Sequence, residues 1–121
     1  MTFSLKTRKI GDIAILDLSG RLTIGEPVLS VREAIRQFVA DGTPNVILNL
    51  GEVTHMDSAG LGELITSYTS CRNRSGQVKL LNVPKIVRDL LQITKLLTVF
   101  DCHDSETKAI ESFGVKGTQG R

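Results

Sequence analysis

The chain has 121 residues, 15 Lys and Arg against 13 Asp and Glu for a net charge of +2, and is 40% apolar, 23% charged and 4% aromatic, with no tryptophan. That suits one soluble domain with a core of Leu, Ile and Val, and argues against a two-domain enzyme, a secreted disulfide scaffold and a transporter, since no run nears the roughly 20 apolar residues of a membrane span. Residues 1–9 lack the apolar segment of a signal peptide, so a cytoplasmic location is expected, without membrane contact.

Phe3 to Lys9 alternates Phe3, Leu5 and Thr7 against Ser4, Lys6 and Arg8, the period of a half-buried strand. Gly11-Asp12 turns the chain, and Ile13 to Leu18 reads as a second, antiparallel strand. Residues 21–26 read as a loop. Pro27 suits the first turn of a helix, which Val28, Val31, Ile35, Phe38 and Val39 continue at helical spacing until Asp41-Gly42. Asn45 to Leu50 is an apolar run, as in a strand covered on both faces. A loop from Gly51 to Asp57 leads to a helix from Ser58, with Leu61, Leu64, Ile65 and Tyr68 as its inner stripe and Glu63, Thr66 and Ser70 facing away. Gln77 to Val83 is a further strand, and Pro84 opens a third helix carrying Ile86, Val87, Leu90 and Leu91. Leu96 to Phe100 fits either a short edge strand or a helix-to-loop passage. Asp104-Ser105 caps a last helix with Ala109, Ile110 and Phe113 inward, and three glycines in 114–121 mark a mobile tail after a domain of residues 1–113. The order ββαβαβα(β)α predicts an α/β domain: a mixed, mainly parallel sheet of four to five strands, an antiparallel N-terminal hairpin and about four helices.

Charge is unevenly placed. Residues 41–63 carry Asp41, Glu52, Asp57 and Glu63 and no base; residues 72–95 carry six bases against Asp89. The basic stretch holds no aromatic residue for base stacking, so a solvated face is expected there rather than nucleic-acid binding. Cys71 and Cys102 read as free thiols, and with His55 and His103 they match no zinc spacing.

The most informative string is Met56-Asp57-Ser58-Ala59-Gly60-Leu61-Gly62, beyond the C-terminal end of a central strand, where open α/β sheets place their sites. Each of the two glycines costs a helix about 1 kcal/mol relative to Ala, which points to a turn kept low so that another surface can approach. Asp57 or Ser58 can cap the helix. Four chemistries compete. A nucleophile elbow needs glycine where Met56 stands and has no Asp–His relay; no phosphate-binding Gly-x-x-x-x-Gly-Lys-Ser/Thr occurs; a phosphorylated-aspartate receiver lacks its clustered acids and begins with βα, not ββ. The fourth is a serine modified by a partner.

Gly20-Arg21-Leu22, the strand Val46 to Leu50 and above all Val53 to Gly62 resemble the anti-sigma-factor antagonists of the STAS family, over roughly residues 3–113. The resemblance implies a small domain without catalytic residues or cofactor, working by partner switching. The unmodified form binds an anti-sigma factor that is also a serine kinase and frees the sigma factor; phosphorylation ends the binding and a serine phosphatase restores it. Ser58 matches the phosphoacceptor, and Thr23, Gly25, Glu26, Asp57, Ser58, Ala59, Gly60, Leu61 and Gly62 match the partner surface. A monomer is expected when free. The runner-up is a STAS scaffold or interaction subunit of a larger signalling or lipid-transport assembly, never phosphorylated; nucleotide binding rests on family analogy alone. Thr23 departs from the family, where an acid often follows Gly-x-Leu, and the nearest acid here is Glu26. Ala59 replaces a frequent second Ser or Thr and leaves Ser58 the one acceptor within the motif.

Overall fold

The computed structural model describes residues 2–119, with side chains through Gly114. Its elements run β1 (Ser4–Ile10), β2 (Ile13–Leu22), α1 (Glu26–Ala40), β3 (Asn45–Met56), α2 (Ser58–Arg72), β4 (Val78–Leu81), α3 (Lys85–Ile93), β5 (Asp101–His103) and α4 (Glu106–Gln119). The five strands form one sheet in the order β1-β2-β3-β4-β5. β1 and β2 pair antiparallel and every later pair is parallel, as the hairpin and the alternating elements predict.

Period-2 alternation divides the sheet between two cores. Ala14, Leu16, Leu18, Val46, Leu48, Leu50, Val78 and Leu80 point to one face, where they meet Val28, Val31 and Ile35 of α1, Leu61, Leu64 and Cys71 of α2, and Val87 and Leu91 of α3. Ile15, Ile47 and Leu81 point to the other, under Ala109 and Phe113 of α4. Covering both faces is what makes Val46-Ile47-Leu48 continuously apolar. The buried Lys79 also lies beneath α4: its Nζ is 5.1 Å from the Phe113 ring centre and donates to Asp101 Oδ2 at 2.7 Å, so its stem is sheltered while its charge reaches a partner. Arg8 ties the hairpin to α4, donating from Nε to Asp17 Oδ2 at 2.7 Å and from Nη2 to Glu106 Oε1 at 2.7 Å.

Several boundaries differ from the sequence reading. The expected loop over residues 51–57 is strand as far as Met56, and the loop expected from residue 21 begins only after Leu22. The pairing explains both: β3 matches β2 out to Leu22↔Met56, whereas it matches β4 only from Val46 to Asn49. Polar residues with no local strand signal are held extended by their neighbour strand. Residues 96–100 form turns, and the last strand lies at Asp101–His103. The capping expected of Ser105 is present, its Oγ accepting the Lys108 N–H at 3.3 Å. The boundary expected at 113/114 falls inside α4, whose backbone is helical to Gln119; the side chains of 115–121, on which the expected tail mostly falls, lie outside the described residues.

β2 and β3 continue past β4 for roughly 20 Å, at about 3.3 Å per residue, with β1 beside β2 as far as Ser19 and only the tip, residues 20–22 with residues 53–56, a two-stranded ribbon. Register shifts between Asp17 and Ser19 and between Gly20 and Arg21 bend it. The start of α2 sits at its tip. Leu48, fully buried in the middle of the sheet, gives a direct test of the larger core: Leu48→Ala should cost about 2–5 kcal/mol, read as a lower urea midpoint at unchanged slope.

Candidate functional site

At the ribbon tip the chain passes from β3 into α2 through Asp57, the helix N-cap, in extended conformation. One carboxylate oxygen, Oδ1, accepts the Gly60 N–H at 2.9 Å; the other, Oδ2, accepts the Ile24 N–H at 2.9 Å. The first bond caps α2. The second reaches across to the loop between β2 and α1 and fastens it to the same helix end. Both donors favour the charged form, so the Asp57 carboxyl titrates below its ordinary range, the Ile24 bond contributing most.

Ser58 follows as the first residue of α2, with its side chain exposed to solvent. The N-terminal turn of a helix offers free N–H groups and the positive end of the helix dipole, so an anion placed there is tolerated. Around it the structure separates the residues expected to form one surface. Gly25 and Glu26 are exposed, Thr23 is half-buried, and Ala59 and Gly62 are half-buried along the α1–α2 cleft. Gly60 and Leu61 point inward, Leu61 into the larger core.

The two glycines of the motif have different reasons. A Cβ on Gly60 would stand 2.3 Å from the Leu22 carbonyl oxygen and 2.9 Å from Met56 Cγ, so Gly60 lets α2 close on the end of β2. The low, open turn expected of both is thus corrected for Gly60, whose place is internal packing. A Cβ on Gly62 would meet nothing within 4 Å. Only this second glycine leaves space on the outside of the helix.

Helix α2 is also rotated from its expected seating. Its buried residues are Gly60, Leu61, Glu63, Leu64, Ser67 and Cys71, while Ile65 is 39% exposed. The stripe read from Leu61, Leu64, Ile65 and Tyr68 holds for Leu61 and Leu64, which are buried, and for the half-buried Tyr68, which packs on the same core, but not for Ile65. Small residues at 60, 67 and 71 share the buried side with Leu61 and Leu64, and Ile65 is turned out to solvent. Glu63, expected to face away, has a fully buried side chain instead. Arg32 of α1 donates from Nε to Glu63 Oε1 at 3.1 Å, and its Nη2 lies 3.1 Å from the same oxygen. Burial pushes the Glu63 carboxyl up, with Arg32 opposing. This cross-helix pair was not legible in the sequence. The signal that could have found it is the small-residue stripe, which places position 63 on the inner side.

Among the described residues no cluster of three or more His, Cys, Asp or Glu side chains could hold a metal, and no helix is long and apolar enough to cross a membrane. Cys71 is free and buried, and burial raises its thiol to about 11. An exposed serine hydroxyl on a capped helix end is what this arrangement offers chemically.

The STAS domain family model matches residues 4–109. A similar curated protein is an anti-sigma F factor antagonist of Paenibacillus polymyxa, 26% identical over 106 residues that cover 85% of this chain and 88% of that one. The fold is shared with the anti-sigma factor antagonist SpoIIAA in its unphosphorylated form (TM-score 0.79, 22% identity, 94% of this chain and 97% of that one). It is shared too with the Bacillus cell fate determinant SpoIIAA in the phosphorylated form (TM-score 0.72, 23% identity, 93% and 99%).

Two measurements check this geometry. Gly60→Ala should be clearly destabilising, while Gly62→Ala should be neutral or stabilise by up to about 1 kcal/mol, since only the helix preference changes there. Asp57→Ala should cost about 1–2 kcal/mol near neutral pH. Because the folded carboxyl titrates below its unfolded value, the Asp57 contribution is complete above about pH 4 and is lost as the pH falls through the folded-state pKa. The difference between wild type and Asp57→Ala in urea titrations should therefore shrink in acid.

Proposed function

Because the chain belongs to the STAS domain family, we propose that it is an anti-sigma factor antagonist that works by partner switching. The unphosphorylated form binds an anti-sigma factor with serine kinase activity and so frees the sigma factor. That kinase phosphorylates Ser58, binding ends, and a serine phosphatase resets the protein. The chain is a non-enzymatic, cytoplasmic binding module, monomeric when free. In this reading Thr23, Gly25, Glu26, Asp57, Ala59 and Gly62 take part in the partner surface, with Gly60 and Leu61 shaping it from beneath.

The observation that carries this reading is the exposed Ser58 at the first position of α2, on the tip of a ribbon that stands clear of β4 and β5. The name of the Paenibacillus relative and the two forms of SpoIIAA support it. The physical consequence of modification follows from the site. A phosphate brings about −1.5 to −2 charges. The α2 N-terminus accommodates them, so the fold survives, but the group stands in the space a docked partner must fill. The two oxygens of Asp57 are already engaged by Gly60 and Ile24, which makes Asp57 the clamp that presents Ser58 rather than a free contact.

Intact-mass measurement after incubation with the partner kinase and Mg-ATP tests the proposal. Wild type should gain one phosphate and Ser58→Ala none. Ser58→Asp should bind the kinase at least about a hundredfold more weakly, a loss of about 2.8 kcal/mol, with its melting transition nearly unchanged. An unmodified wild type would point instead to a STAS scaffold whose serine is never phosphorylated.

A further inference from the structure

Next to Ser58 a groove of about 510 Å³ runs between α1 and α2. Ile24, Val28 and Leu29 line one wall and Ala59, Gly62 and Thr66 the other. Two large apolar side chains on its rim are strongly exposed, Ile24 at 77% and Leu29 at 56%. Gly62 contributes open space where a Cβ would meet no atom, so the groove is kept wide at a cost in helix propensity that no internal packing explains.

The far end of the groove is polar, and its chemistry is specific. Glu63 is buried beneath it and fixes Arg32 through Nε and Nη2, both on the single oxygen Oε1. Among the described residues the third nitrogen, Nη1, has no partner, and the Arg32 side chain is 44% exposed. Arg36, one turn along α1, is exposed and also exerts its charge on Glu63. Arg36 does not line the groove and Glu63 answers the Arg32 charge, so what this end of the groove offers a ligand is the free Nη1 edge of a fixed guanidinium. A guanidinium held in place by a buried acid is a preorganised receptor for a second carboxylate, because its planar fork is already oriented.

We propose that the α1–α2 groove is a docking site for a partner segment that places an apolar side chain beside Val28 and Gly62 and an Asp or Glu carboxylate on Arg32. The proposal extends the reading of the Ser58 end as the partner-binding end. It adds the chemistry of the segment received: apolar, then acidic, with Arg32 and Glu63 as the specificity pair. Glu63 acts through Arg32 and is a positioning residue.

The test uses the full chain and a random peptide library displayed on phage, so it does not require the natural partner. Enriched peptides should share an acidic residue close to an apolar one. Titrated as synthetic peptides, they should lose about tenfold or more in affinity when that acid is replaced by its amide. The same loss should follow in the double variant Arg32→Gln/Glu63→Gln, which leaves no lone buried charge, and in Leu29→Ser, which alters only an exposed rim position. Enrichment of peptides without acids, unchanged affinity for the double variant, or no enrichment at all would overturn the proposal. Ser58→Ala separates the two readings: peptides that bind it normally yet fail on the double variant uphold the groove even if no kinase phosphorylates Ser58.

Discussion

The Asp57 carboxylate closes two hydrogen bonds with N–H groups from different parts of the chain, Gly60 in its own helix and Ile24 in the loop after β2. Each alone is ordinary: an N-cap, and a side chain taking a loop amide. Together they make the start of α2 and the start of α1 a single rigid edge. Ser58, the mouth of the α1–α2 groove and the exposed Ile24 all take their positions from it. Gly60 belongs to the same constraint, because the helix can approach Leu22 closely enough only without a Cβ.

The sheet supplies the reach. β3 leaves β4 at Asn49 but stays with β2 to Met56, so the capped helix end is carried beyond β4, where it meets the β2–α1 loop. Along α2 the functional role changes within a few residues. Ser58 is open to solvent, Gly60 and Leu61 are packed inward, Gly62 opens outward again, and Glu63 is buried with its charge answered from α1. A short motif thus alternates between packing and exposure, as a helix lying on a sheet requires of successive positions.

The charge distribution gains meaning from this arrangement. The acidic stretch 41–63 read from the sequence does not present four free acids. Asp57 is bonded within the tip and Glu63 is buried beneath Arg32, so two of its four charges already have partners within the chain. The groove beside the serine sets Arg32 of α1 against Glu63 of the acidic stretch at one end. A phosphate on Ser58 and a carboxylate on Arg32 would be distinct electrostatic events on one docking face.

The amino-acid sequence determined the element order, the antiparallel hairpin, the capping of α2 and the distinctness of the Asp57–Gly62 string, because these follow from local periodicity, turn chemistry and residue types at fixed spacing. It also marked Ala109, Ile110 and Phe113 as one apolar side, which α4 does turn to the sheet. Tertiary structure decided what depends on neighbours distant in the chain. Strand pairing with β2 extended β3 to Met56 through residues that read as loop. Packing of α2 on its Gly60, Ser67 and Cys71 side buried Glu63 and left Ile65 exposed. The two motif glycines look equivalent as letters, and only the atoms opposite them, the Leu22 carbonyl for Gly60 and empty space for Gly62, separate the one that closes the fold from the one that leaves a surface open.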